Sequence, residues 1–374
     1  MLPNPFEKPL PKMRETDPLK NEEIVRELLG ERGVHKYRKI LGDNSNFKNK
    51  KDKEVSKEDL LALAAEANAL KEQAGKISAE AFEATFEKSL ERQYVSQIKS
   101  LEEIRFLDTK NGDLGFTAIT GYYLKIPNIE DIKNHFLSIP NIQEKVRSGF
   151  TRLLIVPFGR SLDTLRQKTK SLIMKHERTG RLLKEGGGAT IVQVNDPMNV
   201  WDRYDSADIS GGLVYYPELF DKNKHNGKTK AELLSHLTAT DPFLGYHVLL
   251  IQEDTKIPSK RNENSPGEMH QLKVGETPDD YLALLNNDPE YANERGLTPE
   301  DWPTLFATNL DQTDTVINDV RSGVDHLSLL LGSFLPDYKT VLRAGWDSCE
   351  GRLNLFGTAR SADFESAGAS TAVC

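Results

Sequence analysis

Four carboxylates lie close together in the sequence and are the first candidates for chemistry. Asp196, Asp202, Asp205 and Asp208 surround Trp201. Carboxylates spaced along a loop are ligands that calcium prefers, but this segment lacks the glycine and the terminal glutamate of an EF-hand loop. The pattern is more typical of a solvated turn. We therefore predict no metal and no cofactor, and calcium at this cluster is the alternative.

The other residue types that could do chemistry form no recognisable constellation. The histidines are scattered, with no pair at the i, i+4 spacing of a helical zinc site. No G-x-S-x-G elbow occurs, and the glycines at 186–188 precede a predicted strand, whereas a phosphate cradle precedes a helix. The two cysteines, Cys349 and Cys374, allow at most one disulfide and cannot form a cysteine-rich zinc site. These observations predict a protein that is not an enzyme.

Composition and charge exclude further classes. The 374 residues carry a net charge of −8, which disfavours a broad nucleic-acid-binding surface. No apolar run approaches the roughly 20 residues of a membrane span, and the N-terminal residues lack the apolar run of a signal peptide. We expect a cytoplasmic protein with no nucleic-acid partner and no membrane span, with surface display or export as open alternatives.

The first part of the chain divides into a polar tail and a helical arm. Residues 1–55 are polar, with lysines interleaved with acids, as in a solvated linker. Ser56 is a good N-cap for a helix that Gly75 ends, and a second helix begins near Ser78. One stripe of the second helix carries Phe82, Phe86, Leu90, Tyr94 and Ile98. We expect a helical hairpin or arm over residues 56–110, with this stripe as a packing seam.

From residue 111 onward, short apolar runs bounded by Gly, Pro and Asn predict strands. We expect strands at residues 150–158, 189–194, 212–216, 246–252 and 327–334. Ser161 is the predicted N-cap of one helix, and Thr277 and Thr298 each precede a proline and two acids at the start of another. Residues 111–374 are therefore predicted to form an α+β domain with a mixed or antiparallel sheet.

Residues 335–374 have the composition of a loop but the apolar content of a folded segment. They contain one Lys, no Gln and no Met, together with Trp346, Phe356 and Phe364. Disordered tails are poor in such large apolar residues. Alternation along a strand would place every second side chain in the core. We predict that the buried scaffold consists of Trp346, Leu353, Leu355, Ala372 and Val373.

Several motifs of the C-terminal half resemble a known bacterial family. They are GLTPEDW at 296–302, LLLGSFLP at 329–336, Trp346, Arg352 with Leu355, and the end piece at 368–373. These resemble the variable (target) proteins of diversity-generating retroelements, and the segments at 149–158, 200–204, 213–220 and 227–234 look like the body of the same family. The resemblance implies a C-type-lectin-like fold over residues 111–374, with a variable region at about 337–366.

The resemblance also implies a signature in composition. Retroelements of this kind rewrite adenines, and an AAC codon changed only at its adenines never yields Lys, Gln, Glu, Met or Trp. Between residues 345 and 366, only Trp346, Glu350 and Glu365 fall outside the permitted set. The composition of the segment is compatible with such rewriting.

Under this resemblance, the protein binds a ligand without catalysis. A surface that varies must lie on backbone held by other residues, because a domain has only a few kcal/mol of spare stability. The predicted ligand-binding face consists of Tyr338, Arg343, Asp347, Ser348, Cys349, Asn354, Phe356, Thr358, Arg360, Asp363, Phe364 and Ser366.

We expect the ligand to be a protein or a cell-surface molecule. The sequence leaves open whether the protein forms an oligomer. Two alternatives remain from the sequence. One is a hydrolase or transferase that uses Asp202 and Asp205. The other is a structural subunit that assembles through the helical stripe at Phe86 and Leu90.

Overall fold

The computed structural model describes residues 57–184, 187–236, 241–258, 271–320, 326–362 and 366–374, with backbone only at 57–78 and at 236. Helices and sheets follow one another along the chain, so the fold is α+β, as predicted. The predicted linker at residues 1–55 and the cap at Ser56 lie outside the described residues. The described residues divide into two units between Phe86 and Glu87.

The N-terminal helix, α1, spans Lys57–Glu103 without interruption. The predicted break at Gly75 is therefore wrong, because one glycine inside a helix costs only about 1 kcal/mol relative to alanine and does not by itself end it. On the predicted stripe, Phe86 and Leu90 are buried. The other three stripe residues are half-buried, namely Phe82, Tyr94 and Ile98.

The remaining elements follow in chain order. The first group is β1 (Asp108–Lys110), β2 (Asp113–Thr117), β3 (Tyr123–Lys125), α2 (Ile129–Ser138), α3 (Ile142–Arg147), β4 (Phe150–Val156), α4 (Leu162–Arg178), β5 (Met198–Val200), α5 (Tyr204–Ala207), β6 (Val214–Tyr215), α6 (Lys230–His236) and β7 (His247–Gln252). The second group is α7 (Pro278–Asn287), β8 (Glu294–Gly296), α8 (Asp301–Thr313), β9 (Leu327–Leu329), β10 (Ser333–Phe334), β11 (Thr340–Asp347), β12 (Arg352–Ala359), β13 (Ala367–Gly368) and β14 (Thr371–Val373).

The predicted helix starts at Ser161 and Thr277 agree with the local hydrogen bonds, whereas α8 begins at Asp301 with Glu300, not Thr298, at its N-cap position. The Ser161 hydroxyl accepts from the Thr164 amide at the start of α4, and Thr277 forms a capping box with Asp280 at the start of α7. Before α8, the Asp301 carboxylate accepts from the Thr298 amide over 2.8 Å. These side chains satisfy amides that a helix N-terminus leaves without partners.

The strands of the described residues form four sheets. Strands β1, β2 and β3 form an antiparallel sheet, and β6 pairs with β10. A four-stranded antiparallel sheet has the order β4-β7-β14-β8. The largest sheet has the order β13-β9-β11-β12-β5 and is mixed, because β12 and β9 each have one parallel neighbour. The mixed and antiparallel pairing matches the sequence prediction.

The C-terminal strand is part of the core. Strand β14 lies between β7 and β8, and both Ala372 and Val373 are completely buried. Their predicted burial is confirmed. Because its neighbours come from residues 247–252 and 294–296, β14 joins segments that are distant in the sequence.

Two predicted strands differ from the structure. Residues 189–194 form no strand: Ile191 is 59% exposed, and Ala189 makes only an isolated bridge to Leu183. The reason is that β5, and not this segment, pairs with the edge of β12. Residues 327–334 divide into β9 and β10, because the chain at Gly332 packs so closely on β8 that an added Cβ would lie 2.5 Å from the Gly296 oxygen.

Candidate functional site

The β11–β12 hairpin separates buried from surface side chains within the predicted variable region. Trp346 lies opposite Leu353 in the register, and both are completely buried, as is Leu355. Arg343 lies opposite Phe356, and both are half-buried. The predicted scaffold is therefore in the core, while the neighbouring positions of the same strands reach the surface.

Two aromatic residues meet beside this hairpin. Tyr338 ends a short 3-10 turn before β11, and the turn is closed where the Leu335 amide donates to the Thr340 oxygen over 2.9 Å. Trp201 directly follows β5, and its amide donates to the Leu355 oxygen over 2.9 Å, which holds it beside β12. The two rings meet edge to face with their centroids 4.9 Å apart.

The β11–β12 hairpin, Tyr338 and Trp201 line an open groove of about 560 Å³, which we call the hairpin groove. Its side-chain lining consists of Trp201, Tyr338, Thr340, Arg343, Phe356 and Ala359. Gly357 forms part of the same surface, and an added Cβ there would lie 2.5 Å from a methyl carbon of Thr340. Glycine therefore lets the two strands approach each other where the groove is lined.

Cationic groups add charge to the aromatic surface. The Arg203 guanidinium lies 5.2 Å from the centre of the Tyr338 ring, a cation–π distance. Arg343 lines the groove, and burial lowers the pKa of its guanidinium. Arginine remains charged at neutral pH because its ordinary pKa is above 12. The hairpin groove thus suits ligands that present aromatic rings, carboxylates or other acceptors.

Three predicted face residues line the groove and others do not. Tyr338, Arg343 and Phe356 come together there. Arg360 is held elsewhere, since its Nη1 donates to the Phe220 oxygen. The remaining surface members of the predicted face lie outside the groove, namely Ser348, Cys349, Asn354 and Ser366. Asp363 and Phe364 lie outside the described residues.

Two predicted face residues point inward instead. Asp347 is only 6% exposed because its carboxylate accepts from the Cys349 amide over 2.9 Å and so shapes the hairpin turn. Thr358 is 4% exposed because it lies opposite Val341, whose face of the sheet is covered by a hydrophobic cluster that includes Phe334. Strict alternation fails here because other elements cover parts of the outer face.

The acidic cluster does not form one site. Asp208 is buried and its Oδ2 lies 2.6 Å from the Lys230 ammonium, so the prediction of a solvated turn is wrong for this residue. Asp205 pairs with Arg166, whereas Asp202 is exposed. Within the part of the chain that the structure describes, no group of His, Cys, Asp and Glu could hold a metal ion.

A second arrangement, which the sequence did not indicate, links four side chains from separate segments. The Tyr216 hydroxyl lies 2.5 Å from His247 Nε2, and His247 Nδ1 lies 2.6 Å from Asp301 Oδ1. Asp301 Oδ2 accepts from Arg295 Nη1 over 2.7 Å. The ring of Phe158 stacks on His247 with centroids 4.1 Å apart. We call Tyr216, His247, Asp301 and Arg295 the tyrosine relay.

The electrostatics of the relay fix its protonation. Burial lowers the pKa of His247 to about 4, despite the opposite effect of Asp301, so the imidazole is neutral at pH 7. Burial alone would raise the pKa of Asp301, but Arg295 and His247 outweigh it and hold that pKa well below its usual range. Burial also raises the pKa of Tyr216. At neutral pH the relay therefore contains a carboxylate, a neutral imidazole and a neutral phenol.

Three members of the relay, Tyr216, His247 and Arg295, line a second cavity of about 350 Å³, which we call the Tyr216 pocket. Its apolar walls include Phe243, Tyr246, Val248 and Leu249, and His135 lies on the same surface. The sequence did not indicate this site because Tyr216 and His247 lie far along the chain from Arg295 and Asp301. The nearest signal was Asp301, which was interpreted only as an acid at a helix start.

Comparisons of the chain with protein-family models, curated proteins and solved structures gave no match. Among the described residues, no helix combines the length and the apolar character that crossing a membrane requires. Both cysteines are free thiols on the surface, so the disulfide that the count allowed is not formed.

Proposed function

We propose that this chain is a non-enzymatic ligand-binding protein whose residues 337–366 form a variable binding face on a C-type-lectin-like scaffold. The observation that supports it most directly is the hairpin groove. Three residues expected on the face, Tyr338, Arg343 and Phe356, line one concave surface. On the strands, the neighbours Leu342, Ala344 and Leu355 are buried. Exposed positions on such a hairpin can change with little effect on the core.

The groove chemistry favours a protein or another cell-surface ligand. Trp201, Tyr338 and Phe356 provide aromatic surface, and Arg203 and Arg343 provide charge. Aromatic residues and arginine are enriched at protein interfaces and dominate their binding energy. Trp201 lines the groove but lies outside the variable region. It would therefore provide the same aromatic contact in every sequence variant of residues 337–366.

Randomised libraries test the separation of face and scaffold. One library varies Arg343 and Phe356 on strands β11 and β12, together with Tyr338 in the turn before them. The matched library varies Trp346 and Leu355 on the same two strands. We expect most face variants to remain folded, whereas core variants lose about 2–5 kcal/mol and mostly fail to fold. Protease resistance on a display system measures the folded fraction, and equal losses in both libraries would contradict the proposal.

Binding is tested by panning the folded face library against purified cell-surface proteins and glycans. We expect variants selected on different targets to differ at the three randomised positions and to keep Trp201. Replacing Trp201 with Ala in a selected binder should weaken binding by at least about tenfold, since buried aromatic anchors contribute more than 1 kcal/mol. Unchanged affinity would show that the groove is not the binding surface.

Diversification is tested separately at the genomic locus. We expect a nearby template repeat that is almost identical to the codons for 337–366 and differs mainly at adenines, together with a reverse transcriptase gene. If both are missing, the face is not diversified, although a fixed ligand could still bind the groove. Replacing Asp202 and Asp205 with Asn addresses the enzymatic alternative, because ligand binding should then be retained.

A further inference from the structure

The Tyr216 pocket is largely apolar, and the aromatic side chains Phe243 and Tyr246 contribute rings to its wall. The Tyr246 hydroxyl donates to the Leu124 oxygen, so the ring of Tyr246 is what remains to line the pocket. The Phe243 ring meets His135 edge to face, with centroids 5.1 Å apart. A cavity of about 350 Å³ with such walls is at the small end of the range for ligand sites.

The direction of the hydrogen bonds in the tyrosine relay follows from charge. The Asp301 carboxylate can only accept, so the proton of the neutral His247 ring lies on Nδ1, which donates to Oδ1. His247 Nε2 is then an acceptor, and the bond from Tyr216 must be donated by its hydroxyl. Since its one proton is committed to His247, the phenol oxygen can offer a ligand only its lone pairs.

The backbone fixes this oxygen in place at a conformational cost. Tyr216 has φ +54°, in the left-handed region that bulky residues rarely adopt. Its amide donates to the Gly332 oxygen over 3.0 Å, which holds the strained turn. Such strain is found most often at functional sites. About 37% of the residue surface remains exposed, and Tyr216 lines the pocket.

We propose that the Tyr216 pocket is a binding site for a small apolar molecule that carries a neutral hydroxyl, which donates to the Tyr216 oxygen. The apolar body of the ligand contacts Phe243, Tyr246 and Leu249. Arg295 and Cys374 also line the pocket, and the Arg295 guanidinium lies 5.1 Å from the centre of the Tyr216 ring. Ligand classes that fit are simple phenols and aromatic alcohols.

The proposal is independent of the function assigned to the hairpin groove. The two cavities have no lining residue in common. If the experiment at one site contradicts its proposal, the proposal for the other site still stands. Each site can be mutated without changing a residue that lines the other.

The test compares p-cresol with p-fluorotoluene, which has the same ring and methyl group but no donor. Dissociation constants for the full-length protein are measured by NMR titration. We expect p-cresol to bind about fivefold more tightly than p-fluorotoluene, because one net hydrogen bond separates them. In Tyr216→Phe, which keeps the ring and removes the acceptor, the preference should fall to about one.

Two variants of His135 complete the test. His135→Phe keeps an aromatic ring and removes the ring nitrogens, so the preference for p-cresol should persist. His135→Trp fills the cavity and should weaken the binding of both molecules, which locates them in the pocket even if Tyr216→Phe fails to fold. The proposal is overturned if p-cresol does not bind, if Tyr216→Phe keeps the preference, or if His135→Trp leaves both affinities unchanged.

Discussion

The hairpin groove and the Tyr216 pocket each contain a tyrosine of similar exposure, 42% for Tyr338 and 37% for Tyr216, in opposite settings. Tyr338 contacts Trp201 and Arg203 at the surface through its ring. Tyr216 is hydrogen-bonded to a chain of buried groups that ends at Arg295. Exposure alone therefore does not distinguish a replaceable surface residue from one that the core constrains.

The different contacts of Tyr338 and Tyr216 indicate how one fold can combine surface residues that tolerate substitution with surface residues that do not. A residue whose contacts are other surface side chains can change with little loss of stability. A residue that completes a buried hydrogen-bond chain cannot, because its removal leaves a buried polar group without a partner. The following predictions test this contrast, beginning with the largest expected effect.

Asp301→Ala should destabilise the protein most. Its carboxylate contacts His247, Arg295 and the Thr298 amide, and its removal leaves the Arg295 charge largely buried without its counter-ion. Breaking a buried ion pair typically costs about 3–5 kcal/mol. Chemical denaturation measures the change, and Asp202→Ala, at an exposed aspartate, should stay within about 0.5 kcal/mol. Similar losses in the two variants would refute a special role for the relay.

The neighbours Leu355 and Phe356 should respond differently to truncation. Leu355 is completely buried, so Leu355→Ala leaves a cavity and should cost about 2–4 kcal/mol. Phe356 is half-buried on the groove side, and Phe356→Ala should cost about 1 kcal/mol or less. Thermal and chemical unfolding of both variants test this contrast. A larger loss for Phe356→Ala would mean that the groove wall is part of the core.

Much of the hairpin could be predicted from the sequence because its signals are local. Alternation placed Leu353 and Leu355 inside, and the late apolar pair Ala372 and Val373 indicated a strand. Thr358 was misplaced because its burial depends on a cluster formed by distant residues. A local pattern fixes which side a residue faces, but it does not show whether that side is covered.

The tyrosine relay could not be predicted for the same reason. Strand β7 was expected, but its edge contact with the start of α8 was not, so His247 and Asp301 gave no joint signal. Tyr216 adopts a left-handed conformation that its residue type disfavours. Long-range packing overrides local preference at this position, and only the folded structure brings the four side chains together.

The stability of the protein should depend on pH through His247. Its pKa of about 4 lies below the ordinary value of about 6.5, so the unfolded chain binds a proton more readily than the folded one. The corresponding stabilisation is complete above about pH 6.5 and is lost as the pH falls towards 4. From pH 7 to pH 5 we expect a loss of about 2 kcal/mol.

The control is His247→Gln, compared with the wild type at each pH. Other histidines, such as His135 and His176, titrate in both proteins, so the difference between the two unfolding curves isolates His247. The gap in unfolding free energy between wild type and variant should narrow as the pH falls from 7 to 5. A constant gap would mean that the imidazole is not held neutral by the relay.

The smallest effect is expected from removing one hydroxyl at each tyrosine. Tyr216→Phe deletes the donor to His247 Nε2 and should cost about 1 kcal/mol, the usual net value of a hydrogen bond. Tyr338→Phe keeps the ring that contacts Trp201 and Arg203 and should change the unfolding free energy by less than about 0.5 kcal/mol. Because the two residues are similarly exposed, any difference reflects their partners rather than their exposure to solvent. Equal changes in the two variants would show that the buried chain behind Tyr216 does not constrain it.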